Sequence, residues 1–279
     1  MRTIISAAFG TEMLRLGVWL VLLIAIFVPM ERFRALHPRS LLRRGLGTDL
    51  AYYFLSGFAP KLLLTIPVAL LVATLHRMVP AEYYSAMSGI PIWLRVPVAL
   101  AVGEVGSYWG HRWSHEIPFL WRFHSIHHSA EEIDWLVNSH AHPFDMFFVR
   151  FCGLVPMYAL GLAQPAGNGL DLAPAVVTVV GTAWGFFIHA NVKWRLGWLE
   201  WVVSTPAFHH WHHTNDGPER INKNYAALLP CVDRMFGTLY LPAQQWPDRY
   251  GIDGKVPADL PGQILHPLLP GPTPTRTAD

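Results

Sequence analysis

The stretch Pro91-Ile-Trp-Leu-Arg-Val-Pro-Val-Ala-Leu-Ala-Val-Gly-Glu-Val-Gly-Ser-Tyr-Trp-Gly110 runs directly into His111-Arg-Trp-Ser-His115, and its reading decides the fold. Crossing a bilayer takes roughly 20 residues of apolar helix, and this segment supplies them with Arg95 near its start and Glu104 deep inside. It ends in two histidines spaced one helical turn apart, hence stacked on one face. Working outward, Leu50–Leu75 is a second apolar segment, long enough to cross with a kink or tilt at Pro60 and Pro67. Leu16–Met30 is apolar but short, so a span there recruits the preceding turn with Arg15 snorkelling outward. A cleaved signal peptide competes with that reading. The chain continues Glu31-Arg-Phe-Arg, with no small-residue cleavage site, which favours an uncleaved span. Met146–Ala163 and Leu172–Ile188, separated by the turn-rich Gln164-Pro-Ala-Gly-Asn-Gly-Leu-Asp171, read as a helical hairpin.

Composition agrees. Of 279 residues, 52% are hydrophobic and only 14% charged, against about 25% charged in soluble domains. A water-soluble globule and a disordered chain are both poor fits. The net charge is +2 and no basic run is interleaved with aromatics, so nucleic acid is not an expected partner. Cys152 and Cys231 form no CxxC pair, which excludes a thiolate zinc site or a disulfide framework.

Residues 31–44 hold Arg32, Arg34, Arg39, Arg43 and Arg44 against Glu31 alone. The positive-inside rule places that loop in the cytoplasm. Counting crossings from there brings His111 back to the same face, and a hairpin that goes out and returns brings His189 there too. A re-entrant hairpin satisfies the count equally well.

Histidine is the anomaly: 15 in the chain, 12 of them from His111 to His213. His111 and His115 form HxxxH; His124, His127 and His128 form HxxHH; His189 stands alone; His209, His212 and His213 form a second HxxHH. On a helix each HxxHH is expected to present its three imidazoles in one direction. Thr205-Pro206 reads as an N-cap with proline at N1, and Pro118 as the end of the first box's helix. A lone histidine is an ordinary polar residue, and His37, His76 and His266 are read that way. Two HxxHH boxes, however, would arise by chance in roughly one such chain per thousand. Neutral imidazole is the commonest metal ligand, and eight box positions are too many for one tetrahedral ion. They imply two ions. Imidazole suits iron, zinc and copper alike, so the boxes alone leave a redox enzyme, a di-zinc hydrolase and a metal transporter or sensor open. Glu116 has no second histidine to complete HExxH, and the histidines gather at one membrane face rather than along the spans, which favours the first.

With their connecting text these motifs resemble the fatty acid hydroxylase superfamily, the membrane non-haem di-iron group that includes sterol desaturases, C4-methylsterol oxidases and alkylglycerol monooxygenase. The resemblance runs from about Gly103 to Thr238. It covers Gly110-His-Arg-Trp-Ser-His-Glu116, Leu120-Trp-Arg-Phe-His-Ser-Ile-His-His-Ser129, Phe187-Ile-His-Ala-Asn191, Thr205-Pro-Ala-Phe-His-His-Trp-His-His213, Asn222-Lys-Asn-Tyr-Ala226 and Asp233-Arg-Met-Phe-Gly-Thr238. The separate membrane acyl desaturases use similar boxes with other spacings. The resemblance implies metal-ligand roles for His111, His115, His124, His127, His128, His209, His212 and His213, with His189 a ninth and His210 a bystander. It also implies two iron ions (zinc can replace them in preparations), O2, a lipid substrate, and two electrons from a separate donor, ferredoxin-like or cytochrome b5-like with its reductase. Arg43 and Arg44 are a candidate docking surface for that donor. Glu104, Glu116, His142 and Asn191 are candidates for supporting a ligand from behind. Relatives often carry arginine where this chain has His140, which leaves that arginine's contact open.

The expectation is therefore an all-α integral membrane bundle of about four or five spans with a cytoplasmic histidine-rich helical cap. Residues 1–102 would form N-terminal membrane helices, and 103–240 the histidine-box region with a membrane hairpin at 144–190. Residues 241–279, rich in proline, would form a loosely wound tail. The activity expected is hydroxylation or desaturation of a lipid.

Overall fold

The computed structural model describes residues 2–163, 172–270 and 275, with side chains described from residue 9 and, in the second stretch, from residue 176. Within them the chain is all-helical, with isolated two-residue bridges and no extended strand. Helix α1 (Arg2–Arg34) and α2 (Leu46–Met78) are each 33 residues long, about 50 Å at 1.5 Å per residue. Both carry prolines, Pro29 in the first and Pro60 and Pro67 in the second. They pass the length and hydropathy test for spans over Phe9–Arg34 and Leu46–Met78. Leu14, Val18, Val21 and Ile26 of α1, and Leu62, Ile66 and Leu70 of α2, are exposed; contiguous apolar surface of this kind belongs in lipid.

The third apolar segment begins earlier than Pro91. A short helix, α3 (Ala81–Ser88), meets α4 (Ile92–Glu116) at 113°, and the pair passes the span test together. The expected four or five crossings are not reached among the described residues: two helices are long enough, three if the bent pair counts as one. Helix α6 (Pro143–Ala159) has 17 residues and α7 (Leu172–His189) has 18, the short end of what a crossing takes; the described apolar part of α7 is Val176–His189. The hairpin's turn, 164–171, lies outside the described residues.

Helix α4 packs against α6 along small residues. A Cβ on Gly106 would overlap the Cys152 carbonyl oxygen, and one on Gly110 would lie 2.8 Å from the Cys152 side chain. Glycine here permits the close backbone approach that drives helix pairing in an apolar solvent. Proline then punctuates the histidine end. Helix α4 stops at Glu116, Ile117 is extended, and Pro118 occupies the first turn of α5 (Pro118–His128). Pro143 does the same for α6, and Pro206 for α8 (Pro206–His212), where the Thr205 hydroxyl accepts from Phe208 N at 3.4 Å. The capping read from Thr205-Pro206 is thus present.

The remainder wraps the histidine end. Ala35 pairs with Val192, and Glu31 accepts from the backbone N–H of Asn191 (2.8 Å) and Trp135 (2.9 Å). The arginine loop therefore sits on the same end as His189. The Arg43 guanidinium is engaged in ion pairs with Asp49 (2.6 Å) and Asp134 (2.5 Å), while Arg44 is exposed. Over its described part, residues 242–270, the proline-rich C-terminal segment packs onto the rest of the chain. Beyond α9 (Pro230–Met235), Gln245 accepts from Trp211 Nε1, Tyr250 is buried, and α10 (Leu260–Leu265) presents the Ile264 carbonyl to His142. Its prolines limit helix length without preventing packing.

Candidate metal centre

All nine histidines expected as ligands converge, and they do so in two groups. His111, His115, His124, His128 and His212 form one; His127, His189, His209 and His213 form the other. Within each group one ligand atom per residue lies within 4.8 Å of the rest. The groups are adjacent, with the rings of His128 and His213 stacked at 4.4 Å between centroids.

The HxxHH boxes do not point in one direction as expected. Each is split. Helix α5 gives His124 and His128 to the first group and His127 to the second; α8 with its C-capping residue gives His209 and His213 to the second and His212 to the first. At 3.6 residues per turn, positions i+3 and i+4 flank position i and stand about 100° apart around the axis. A helix lying between two sites can therefore feed both. The first group is completed by His111 and His115 of α4, and the second by His189 at the end of α7.

In four of the rings the nitrogen facing away from the groups is held by a backbone acceptor. His111 Nδ1 donates to Tyr225 O (2.7 Å), His127 Nδ1 to His140 O (3.0 Å), His189 Nδ1 to Gly185 O (2.7 Å) and His212 Nδ1 to Lys223 O (2.9 Å). A carbonyl can only accept, so each of these rings carries its proton on Nδ1, and in the neutral form its Nε2 is a bare lone pair. His127 and His189 then point two lone pairs at each other across 3.2 Å. That contact is repulsive unless a cation lies between them. A proton is a poor candidate: burial and the neighbouring His124 push His127 down to about 3, and burial holds His209 and His212 well below the ordinary imidazole range. The donor set fits metal ions, and neutral imidazoles are the form that binds them.

The supporting candidates fall elsewhere. Glu104 is buried and its Oε1 accepts from Leu228 N (2.5 Å) and Leu229 N (3.1 Å), fastening the loop after Tyr225 to α4 rather than orienting an imidazole. Glu116 pairs with Arg112 one turn back at 2.7 Å. His142 caps α6, its Nδ1 accepting from Phe144 N (3.1 Å) and its Nε2 donating to Ile264 O (3.2 Å). Asn191 exchanges hydrogen bonds with the backbone of His37, accepting at 3.0 Å and donating at 2.7 Å. His210 lies outside both groups, with Nε2 on Ala190 O (3.1 Å) and Nδ1 on the Tyr250 hydroxyl (2.7 Å), as expected of a bystander.

The carboxylate that does orient a box histidine is Asp145, whose Oδ2 accepts from His124 Nδ1 at 2.9 Å, both groups buried. Sequence reasoning missed it. The available signal was an acidic residue in the first turn of an apolar helix just past the second box. A second arrangement also went unforeseen: His140 hydrogen-bonds Asp49, which Arg43 neutralises. The guanidinium in this cluster comes from the loop before α2. It helps fix the segment whose His140 carbonyl holds His127.

The model of the family described as fatty acid hydroxylase matches residues 96–238. An ornithine lipid hydroxylase of Rhizobium tropici is 34% identical over 179 residues, covering 64% of this chain and 51% of the relative. An alkylglycerol monooxygenase of Xenopus tropicalis is 32% identical over 164 residues, covering 58% and 33%, and that of Homo sapiens is 30% identical over 164, covering 57% and 31%. The chain thus spans from about half to about a third of the length of these relatives. No solved structure matches.

Proposed function

The chain belongs to the fatty acid hydroxylase family, and from that premise we propose that it is a membrane-bound di-iron oxygenase that hydroxylates or desaturates a lipid. One observation carries the reading: two groups of imidazoles, all but His111 buried, with the lone pairs of His127 and His189 converging at 3.2 Å, at the end of apolar helices. His111, His115, His124, His128 and His212 would hold one iron, and His127, His189, His209 and His213 the other. An iron pair bound there supplies activation of O2 with two electrons from a separate donor, giving in hydroxylation R–H + O2 + 2e⁻ + 2H⁺ → R–OH + H2O. The chain's own part is positional. Backbone carbonyls fix the tautomers of His111, His127, His189 and His212 so that each Nε2 faces inward. Asp145 does the same for His124. The surrounding burial keeps water from the reacting centre and the imidazoles neutral.

The histidine end and the arginine loop share one end of the molecule, which by the positive-inside rule is the cytoplasmic end; a soluble donor reaches the site from there. The substrate class rests on what the relatives are named for, ornithine lipids and alkylglycerols. Mass spectrometry of lipid extracts from a deletion strain and its parent tests the proposal. The parent is expected to contain a lipid differing from one in the deletion strain by one oxygen or two hydrogens. Identical lipid profiles with the gene expressed would overturn it.

A further inference from the structure

A cavity of about 220 Å³ lies between α1, α2, α6 and α7, below the histidine end. Its mouth is open to lipid: Trp19 and Val179 line it and are exposed. Its inner end is Asn138 and Ser139. That end abuts the backbone holding the second histidine group, since the next carbonyl, of His140, takes His127 Nδ1, and Gly185, whose carbonyl takes His189 Nδ1, is so close that an added Cβ would lie 2.5 Å from the Asn138 side chain.

The wall's surface is mostly apolar, yet three cations line it: Arg15, Lys61 and Arg150. Arg15 and Lys61 share one carboxylate, Glu12, at 2.5 and 3.5 Å. Arg150 is different. It stands seven residues into α6, about 10 Å from the helix start, is only partly accessible, and makes no hydrogen bond or ion pair with any described residue. A guanidinium at such depth ordinarily pairs, snorkels or marks a ligand, and its planar fork matches the geometry of carboxylate and phosphate. With three cations against one carboxylate, the cavity selects for negative charge.

We infer that this cavity is a lipid-binding site in which Arg150 holds the oxyanion, carboxylate or phosphate, of an anionic lipid. The inference rests on the reading of the chain as a lipid-modifying enzyme and narrows its substrate class.

The test is equilibrium binding to the full chain in nanodiscs of zwitterionic lipid, which needs neither metal nor turnover. Palmitate is compared with methyl palmitate, and phosphatidic acid with diacylglycerol, separating the two sources of oxyanion. At least one acid is expected to bind tenfold or more tightly than its uncharged counterpart. Arg150→Gln is expected to abolish that preference while still binding the uncharged probe, and Arg150→Lys to keep part of it. Equal binding of acid and uncharged counterpart by the natural chain, or a preference that survives Arg150→Gln, overturns the inference. Should Arg150→Gln lose the uncharged probe as well, photo-crosslinking of a diazirine fatty acid to the natural chain decides instead. Labelling within 146–150 or 178–186 supports the site, and labelling only elsewhere removes it. Charge selectivity without any oxidised product would leave this inference standing and sink the oxygenase reading; oxidised product without charge selectivity would do the reverse.

Discussion

Replacing Asp145 by Asn perturbs one of the two histidine groups and leaves the other alone. Asp145 Oδ2 accepts from His124 Nδ1 at 2.9 Å in a buried setting, and His124 belongs to the group completed by His111, His115, His128 and His212. Hydrogen bonds to a charged group contribute about 1.5–3 kcal/mol. The amide can still accept, so the imidazole keeps its tautomer but loses the charge that makes its Nε2 a stronger donor to a cation. At about 1.4 kcal/mol per tenfold, the loss corresponds to roughly 10–100-fold in affinity, the range found for carboxylates behind metal-bound histidines. Competitive titration of chelator-stripped protein with Fe(II) under argon would resolve two binding steps. One is expected to weaken by that factor and the other to stay within about twofold. Equal weakening of both steps, or of neither, would refute the division into two groups with Asp145 serving one.

Three further outcomes follow from the same coordinates. Gly106→Leu must push α4 from the Cys152 carbonyl; overpacking of this kind costs about 1–3 kcal/mol or more, read as a lower thermal midpoint in detergent. Arg43→Gln removes the cation from buried Asp49, leaving it only His140, and from partly exposed Asp134, and breaking a buried pair costs up to about 3–5 kcal/mol, read as a lower thermal midpoint; Arg44→Glu, on an exposed side chain beside it, should leave the midpoint unchanged. Metal-free protein should lose stability as pH falls from 6.5 toward 3. Burial holds His127 and His210 at about 3 in the folded chain, against 6.5 when exposed, so between those values the unfolded chain binds protons that the folded one refuses. A chelated sample whose midpoint is flat over that window, or rises on acidification, would contradict the burial of neutral imidazoles.

The box histidines are legible because their chemistry is local: HxxxH and HxxHH place imidazoles at helical spacing, and the eight so placed converge together with the lone His189. Which group each joins was not legible. His127 and His128 are neighbours in sequence and part to different groups, a choice set by where α5 sits between α4, α7 and α8. Partners brought by tertiary contact were equally hidden. Asp145 looked like an ordinary helix-start acid, and Arg43 like a free cytoplasmic charge, until packing placed the first on His124 and the second between Asp49 and Asp134. Glu104 shows the converse. Its heptad spacing from His111 suggested an imidazole partner, yet the loop at Leu228 and Leu229 reaches it first. The crossing count is harder to read, because α6 and α7, of 17 and 18 residues, stand at the short end of what a crossing takes.

The proposed oxygenase requires two redox-active ions where the imidazole lone pairs converge. Metal analysis and Mössbauer spectroscopy of the full chain, purified anaerobically from iron-replete cells, measure them. About two irons per chain are expected, with a ferrous signal that is lost on exposure to O2, and one iron or fewer in His189→Ala. Full-length protein that takes up no iron under those conditions, or binds two ferrous ions inert to O2, would contradict the proposal.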